Sequence, residues 1–99
     1  MSVEGDWDVT IKTPIGSLAV GYTFSRGAGG LAGTATYKDE TVALQDISVD
    51  GDRMTWRQAI TKPIRLNLTF DVIVTDEALS GHSRAGRLPR SMVTGRRLS

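Results

Sequence analysis

Met54, Trp56 and Gln58 stand at alternate positions of one short segment, and the amide among them is the side chain with most to offer chemically. A glutamine buried among apolar groups without a partner costs roughly 1–3 kcal/mol, so it must meet a ligand, a tyrosine or a trapped water. Two tyrosines, Tyr22 and Tyr37, could supply polar contacts, and with Met92 these six residues form a candidate lining for a small-molecule site. An apolar wall carrying a few convergent polar groups is the usual form of such a site. The competing expectation is structural: tyrosines turn their hydroxyls to a rim and methionines fill gaps.

Other chemistry is sparse. His82 is the only histidine, and by parity with Leu79 and Gly81 it faces outward. With no second histidine and no cysteine, neither a metal site nor a cofactor is expected. Ser80, Ser83 and Ser91 lack a nucleophile elbow. Asp6, Asp8, Asp46, Asp71 and Asp76 read as outward or turn residues, and nothing singles out an acid–base pair. No catalytic residue stands out. Gly27-Ala28-Gly29-Gly30 is followed by no helix, so it is a hairpin loop rather than a phosphate cradle.

From Arg84 to Ser99 there are five arginines and no acid. The segment Arg84–Arg90 reads first as a solvated loop at a barrel mouth, and second as an attractor for an anionic ligand such as a carboxylate. Nucleic acid is not expected as a partner, because the aromatics that would interleave with these cations mostly have inward parity.

These residues are positioned by alternation, since successive side chains of a strand point to opposite faces. Trp7, Val9 and Ile11 share a face, as do Leu18, Val20, Tyr22 and Phe24. Strand three is expected from about Leu31 to Tyr37. In strand four Val42 and Leu44 share one parity and Ile47 and Val49 the other, and the slip at Gln45-Asp46 suggests a β-bulge. Asp50-Gly51-Asp52 is a hairpin turn signal. Met54–Ile60 follows, then Ile64–Val74 alternating at every second residue, then strands around Leu79–Ser83 and Ser91–Leu98. Nothing carries a helical period.

The pattern is written twice. Gly5-Asp6-Trp7 answers Gly51-Asp52 with Trp56, and Leu31-Ala32-Gly33 answers Leu79-Ser80-Gly81. The expected fold is all-β: one small antiparallel up-and-down barrel of about eight strands over residues 1–99, with pseudo-repeats at 5–49 and 51–98. Short connections favour hairpins over sandwich crossings, and closure removes exposed edges. Gly33 and Gly81 either let strands coil sharply or leave space for a ligand.

Ninety-nine residues suffice for one core. The net charge of +1 gives no global pull toward polyanions. No apolar run approaches the roughly 20 residues of a membrane span, and the start shows no export signal, so a soluble cytoplasmic protein without membrane contact is expected. Ile73 among the outward positions leaves room for a homodimer.

Gly5-Asp6-Trp7 on the first strand, with Gly95-Arg96-Arg97 on the last, resembles the calycin-type barrels: lipocalins, fatty-acid-binding proteins and avidins. Leu31–Tyr37 also looks like the third strand of avidin-like barrels, and in style the chain is nearest to small bacterial barrel proteins. The resemblance implies that Trp7 packs under Arg96 or Arg97 to plug one barrel end, and it implies ligand binding without identifying a substrate. The length is short for the group, and the lipocalin disulfides are absent. The function expected is binding of a small, largely apolar molecule inside the barrel. The alternative is a cofactor-independent isomerase or cyclase working by confinement, with Tyr22, Tyr37 or an inward His82 as proton handler.

Overall fold

A computed structural model describes residues 3–13, 16–27, 29–60 and 66–98, with only the backbone described for Ile60 and Leu66. Residues 14, 15 and 61–65, where the first turn and the start of the sixth expected strand fall, lie outside that set.

The alternating runs become nine antiparallel strands: β1 Gly5–Thr13, β2 Gly16–Gly27, β3 Gly30–Tyr37, β4 Glu40–Ala43, β5 Gln45–Asp50, β6 Arg53–Ile60, β7 Leu66–Val74, β8 Ala78–Ala85 and β9 Ser91–Arg97. No helix occurs among the described residues, so none there is long and apolar enough to cross a membrane. The strands form one sheet in the order β4-β3-β2-β1-β9-β8-β7-β6-β5. Its two ends are consecutive in the chain. Leu44 joins them, its N–H donating to the Gly33 carbonyl at 2.9 Å, after which Gln45 pairs with Arg57 across β6. The sheet is therefore a nearly closed barrel.

The count exceeds the expected eight because the fourth strand is broken where the parity slips. The register shifts between Gln45 and Ser48, and Asp46 takes a φ of 52°, a left-handed conformation that aspartate tolerates better than most residues. One half of the bent strand serves β3 and the other serves β6. The β2–β3 hairpin is tighter than expected, with pairing continuing out to Gly27 opposite Gly30.

Burial follows the parity. Trp7, Val9 and Ile11 of β1, Val20, Tyr22 and Phe24 of β2, and Leu68, Phe70, Val72 and Val74 of β7 are all buried. In an eight-position ring β7 lies across from β2, yet Tyr22 reaches Phe70 with ring centroids 6.2 Å apart and Trp56 at 5.5 Å. Trp56 stacks on Phe70, its cross-strand partner, at 4.8 Å with planes 7° apart. Opposite walls thus meet through aromatic rings, each such pair adding about 0.5–1.5 kcal/mol beyond the burial itself.

The glycines serve this packing. A Cβ on Gly81 would lie 2.1 Å from the Asp71 carbonyl oxygen, so β8 approaches β7 more closely than any side chain allows. A Cβ on Gly33 would meet the Phe24 ring at 2.8 Å. Both positions are occupied by neighbours rather than open to a ligand.

One end of the barrel is tied shut. The Arg97 guanidinium sits 4.6 Å from the centre of the buried Trp7 ring, while its Nε donates to the Asp76 carbonyl and its Nη1 to the Glu4 carbonyl at 2.7 and 2.6 Å. The Trp7 indole N–H donates to the Val3 carbonyl at 2.8 Å. Arg97 rather than Arg96 therefore covers the tryptophan, and it binds the strand-1 approach to the β7–β8 turn.

Candidate functional site

Gln58 lies on the inner face of β6, where strict alternation after Met54 and Trp56 must put it. Its Oε1 accepts the Tyr22 hydroxyl at 2.7 Å and the Trp56 indole N–H at 3.3 Å. Among the described residues, no buried side-chain nitrogen or oxygen lacks a hydrogen-bond partner. Of the three partners open to Gln58 in the sequence, the structure supplies the tyrosine. Burial pushes the Tyr22 phenol well above its ordinary pKa, only partly offset by its hydrogen bond to Gln58 and by the neighbouring Trp56 indole N–H.

The six expected lining residues separate accordingly. Tyr22, Met54, Trp56 and Gln58 belong to one buried cluster. Tyr37 packs half-buried at its margin, with Lys38 Nζ 5.5 Å from the ring centre. Met92 is 58% exposed on the outer face, one residue out of phase with the buried Val93. Its inward placement in the sequence reading is corrected by that phase: β9 puts Val93 and Gly95 inside, so its even-numbered neighbours must face out. His82 faces outward, as its parity requires, opposite Asp71 on β7. Ile73 is 46% exposed on the same outer surface.

That outer surface holds a depression of about 460 Å³. Three strands build it in register. Arg57 of β6 is paired with Thr69 of β7, which is paired with Arg84 of β8. The adjacent row is Thr55, Asp71 and His82. Asp46 on the bulge and Arg90 after β8 form the margins, and the sheet at Trp56 and Phe70 forms the floor. A far smaller niche of about 50 Å³ lies near Val3, Met54 and Val74.

Charges in the depression are partly committed. Asp71 takes the Arg53 guanidinium in a two-pronged pair at 2.9 and 2.5 Å, which with the nearby His82 holds its carboxyl below the usual range. Arg57 reaches Asp46 at 3.5 Å, with both side chains largely in water. Arg84 donates its Nε to the Leu88 carbonyl at 3.0 Å, and Leu88 is itself held by its N–H on the Ala85 carbonyl at 3.0 Å. No three histidine, aspartate or glutamate side chains converge as metal ligands among the described residues.

The Arg84–Arg90 segment was visible in the sequence as a basic stretch, but Arg57 and Thr69 were not singled out. The available signal was register: three outward residues on successive hairpin-linked strands fall into one row once the turns are placed.

No family model matches the chain, and neither a curated protein nor a solved structure is significantly similar to it.

Proposed function

We propose that this chain is a cytoplasmic small-molecule-binding barrel, and that its ligand is taken on the outer β6–β7–β8 face. The observation that carries this reading is the contrast between the two sides of one wall. Inside, Tyr22, Trp56 and Phe70 touch across the lumen and the Gln58 amide oxygen is already doubly bonded. Outside, the same strands leave a depression of about 460 Å³, within the usual size range of small-molecule pockets. The Trp7–Arg97 plug supports a calycin-like reading of the scaffold.

An apolar ligand at the centre would have to displace those rings and find new partners for the buried amide. The same packing weighs against an isomerase or cyclase acting by confinement, since the Tyr22 proton is tied to Gln58 and hard to remove.

The test is an amide chemical-shift screen of the labelled protein against a library of small molecules, half charged and half uncharged. Shifts at Thr55, Arg57, Thr69 and Arg84 are expected. Shifts confined to Tyr22, Trp56 and Gln58 would move the ligand to the interior, and no shifts anywhere would defeat the binding reading.

A further inference from the structure

Resting on that outer-face reading, we propose that the ligand carries an oxyanion, a carboxylate or a phosphate group, which the Arg57–Thr69–Arg84 row binds. The three residues are adjacent partners across β6, β7 and β8, so the Cα atoms of the two arginines stand about 10 Å apart with a hydroxyl between them. Two long guanidinium stems on either side of one threonine can converge on a single group above it.

Arg84 is pre-oriented for the task. Its Nε is anchored on the Leu88 carbonyl, and among the described residues neither Nη has a protein partner. Arg84 lines the depression, and the open Nη edge of its fork matches an oxyanion with two parallel N–H···O bonds. Anchoring the near nitrogen removes side-chain freedom before the ligand arrives, which favours affinity.

The other cations are placed to add to it. Arg90, across the β8–β9 loop from Arg84, makes no hydrogen bond or ion pair among the described residues and borders the same depression. Arg57 is held only by a loose, water-exposed pair with Asp46, readily exchanged for ligand oxygens. Of the two carboxylates that line the depression, Asp71 is already neutralised by Arg53, so it does not repel an incoming anion as a bare aspartate would, and Asp46 stands at the margin with its side chain largely in water. Thr69 donates its hydroxyl to the Arg84 carbonyl at 3.3 Å, which leaves its oxygen lone pairs, not its proton, toward the ligand. Recognition therefore falls on the arginines, with Thr69 as spacer.

The test titrates the full chain with inorganic phosphate and, separately, with acetate, at constant ionic strength, following backbone amide and arginine side-chain shifts. The expected result is saturable movement of Arg57, Thr69 and Arg84 signals with at least one of the two anions. Phosphate alone points to a phosphorylated ligand, acetate alone to a carboxylate. Arg84→Ala weakens binding by about ten- to a hundredfold, the loss expected for a charge-assisted pair. Arg84→Lys, which keeps the charge but not the fork, also weakens it. Arg26→Ala, distant from the row, leaves it unchanged, and retention of the amide spectrum checks folding of each variant. The proposal is overturned if neither anion moves the row, or if Arg84→Ala and Arg57→Ala bind as the parent does. Should uncharged library compounds move the row while both anions fail, the oxyanion is wrong and the outer-face site stands. Should nothing move it, both fall.

Discussion

Replacing Gln58 with leucine tests how the barrel centre is held together. The substitution keeps roughly the same volume and removes the one acceptor, among the described residues, for two buried donors, the Tyr22 hydroxyl and the Trp56 indole N–H. Each orphaned donor costs about 1–3 kcal/mol, so Gln58→Leu loses about 2–6 kcal/mol. A domain of this size has about 5–15 kcal/mol in all, so the loss is a large fraction of it. Tyr22→Phe is milder, because Gln58 Oε1 keeps the Trp56 bond, and costs about 0.5–1.5 kcal/mol. In the double variant only the indole N–H is stranded, at about 1–3 kcal/mol. Tyr22→Phe should thus rescue Gln58→Leu, making the double variant more stable than the single one. The cycle closes with a coupling of about 3 kcal/mol of opposite sign to the single losses, well beyond the 0.3–0.5 kcal/mol or so of independent sites. Urea unfolding, followed by tryptophan fluorescence and far-ultraviolet circular dichroism, measures all four corners. If Gln58→Leu matches the parent, or if the two losses simply add, the amide is not the shared acceptor and the closed-centre argument fails.

Gly81→Ala should be far more damaging than Gly33→Ala, because the new Cβ meets the Asp71 carbonyl at 2.1 Å and the Val72 Cα at 2.6 Å, both backbone, whereas at Gly33 it meets the Phe24 ring. Urea midpoints should show a loss of about 1–3 kcal/mol for Gly33→Ala and a larger one for Gly81→Ala, and the reverse order would contradict the close β7–β8 approach. Stability should also fall at alkaline pH. The folded Tyr22 pKa is raised, so its contribution is complete below about pH 10, where the unfolded phenol titrates, and is lost as pH rises toward the folded value. Tyr22→Phe should flatten that part of the urea-midpoint profile, and an unchanged slope would place the phenol in water.

Much of this architecture is written in parity. Trp7, Val9 and Ile11, or Leu68, Phe70, Val72 and Val74, can face only one way once they are strands, and the parity slip at Gln45-Asp46 marks the bend that closes the ring. Parity assigns sides, but it does not say how far side chains reach. Nothing in the alternation of β2 and β6 says that Tyr22 spans the lumen to Gln58, since that depends on barrel radius and on the close approaches at Gly33 and Gly81. Met92 was misplaced for a simpler reason: a methionine looks like lining wherever it stands, while the phase of β9 is set by Val93 and Gly95. Arg57 and Thr69 went unnoticed because outward polar residues are the ordinary surface of any barrel, and only register turns them into a row with Arg84.

The filled centre and the outer row are one design seen from two sides. Arg57 is flanked along β6 by Trp56 and Gln58, Thr69 along β7 by Leu68 and Phe70, and Arg84 along β8 by Ser83 and Ala85. Trp56, Gln58, Leu68, Phe70 and Ser83 are all buried, so each outward side chain rises from backbone pinned by the interior on both sides or, for Arg84, on one side fully and the other in part. Anchors of that kind hold a recognition geometry better than loops do, because strand spacing then sets the separation of the binding groups. An open lumen would give up that rigidity: without rings meeting across it, the wall could breathe and the two arginines could drift apart. A barrel of eight positions is narrow enough for its own side chains to fill it, and filling it leaves a stiff outer surface on which polar residues at every second position can be aligned by register.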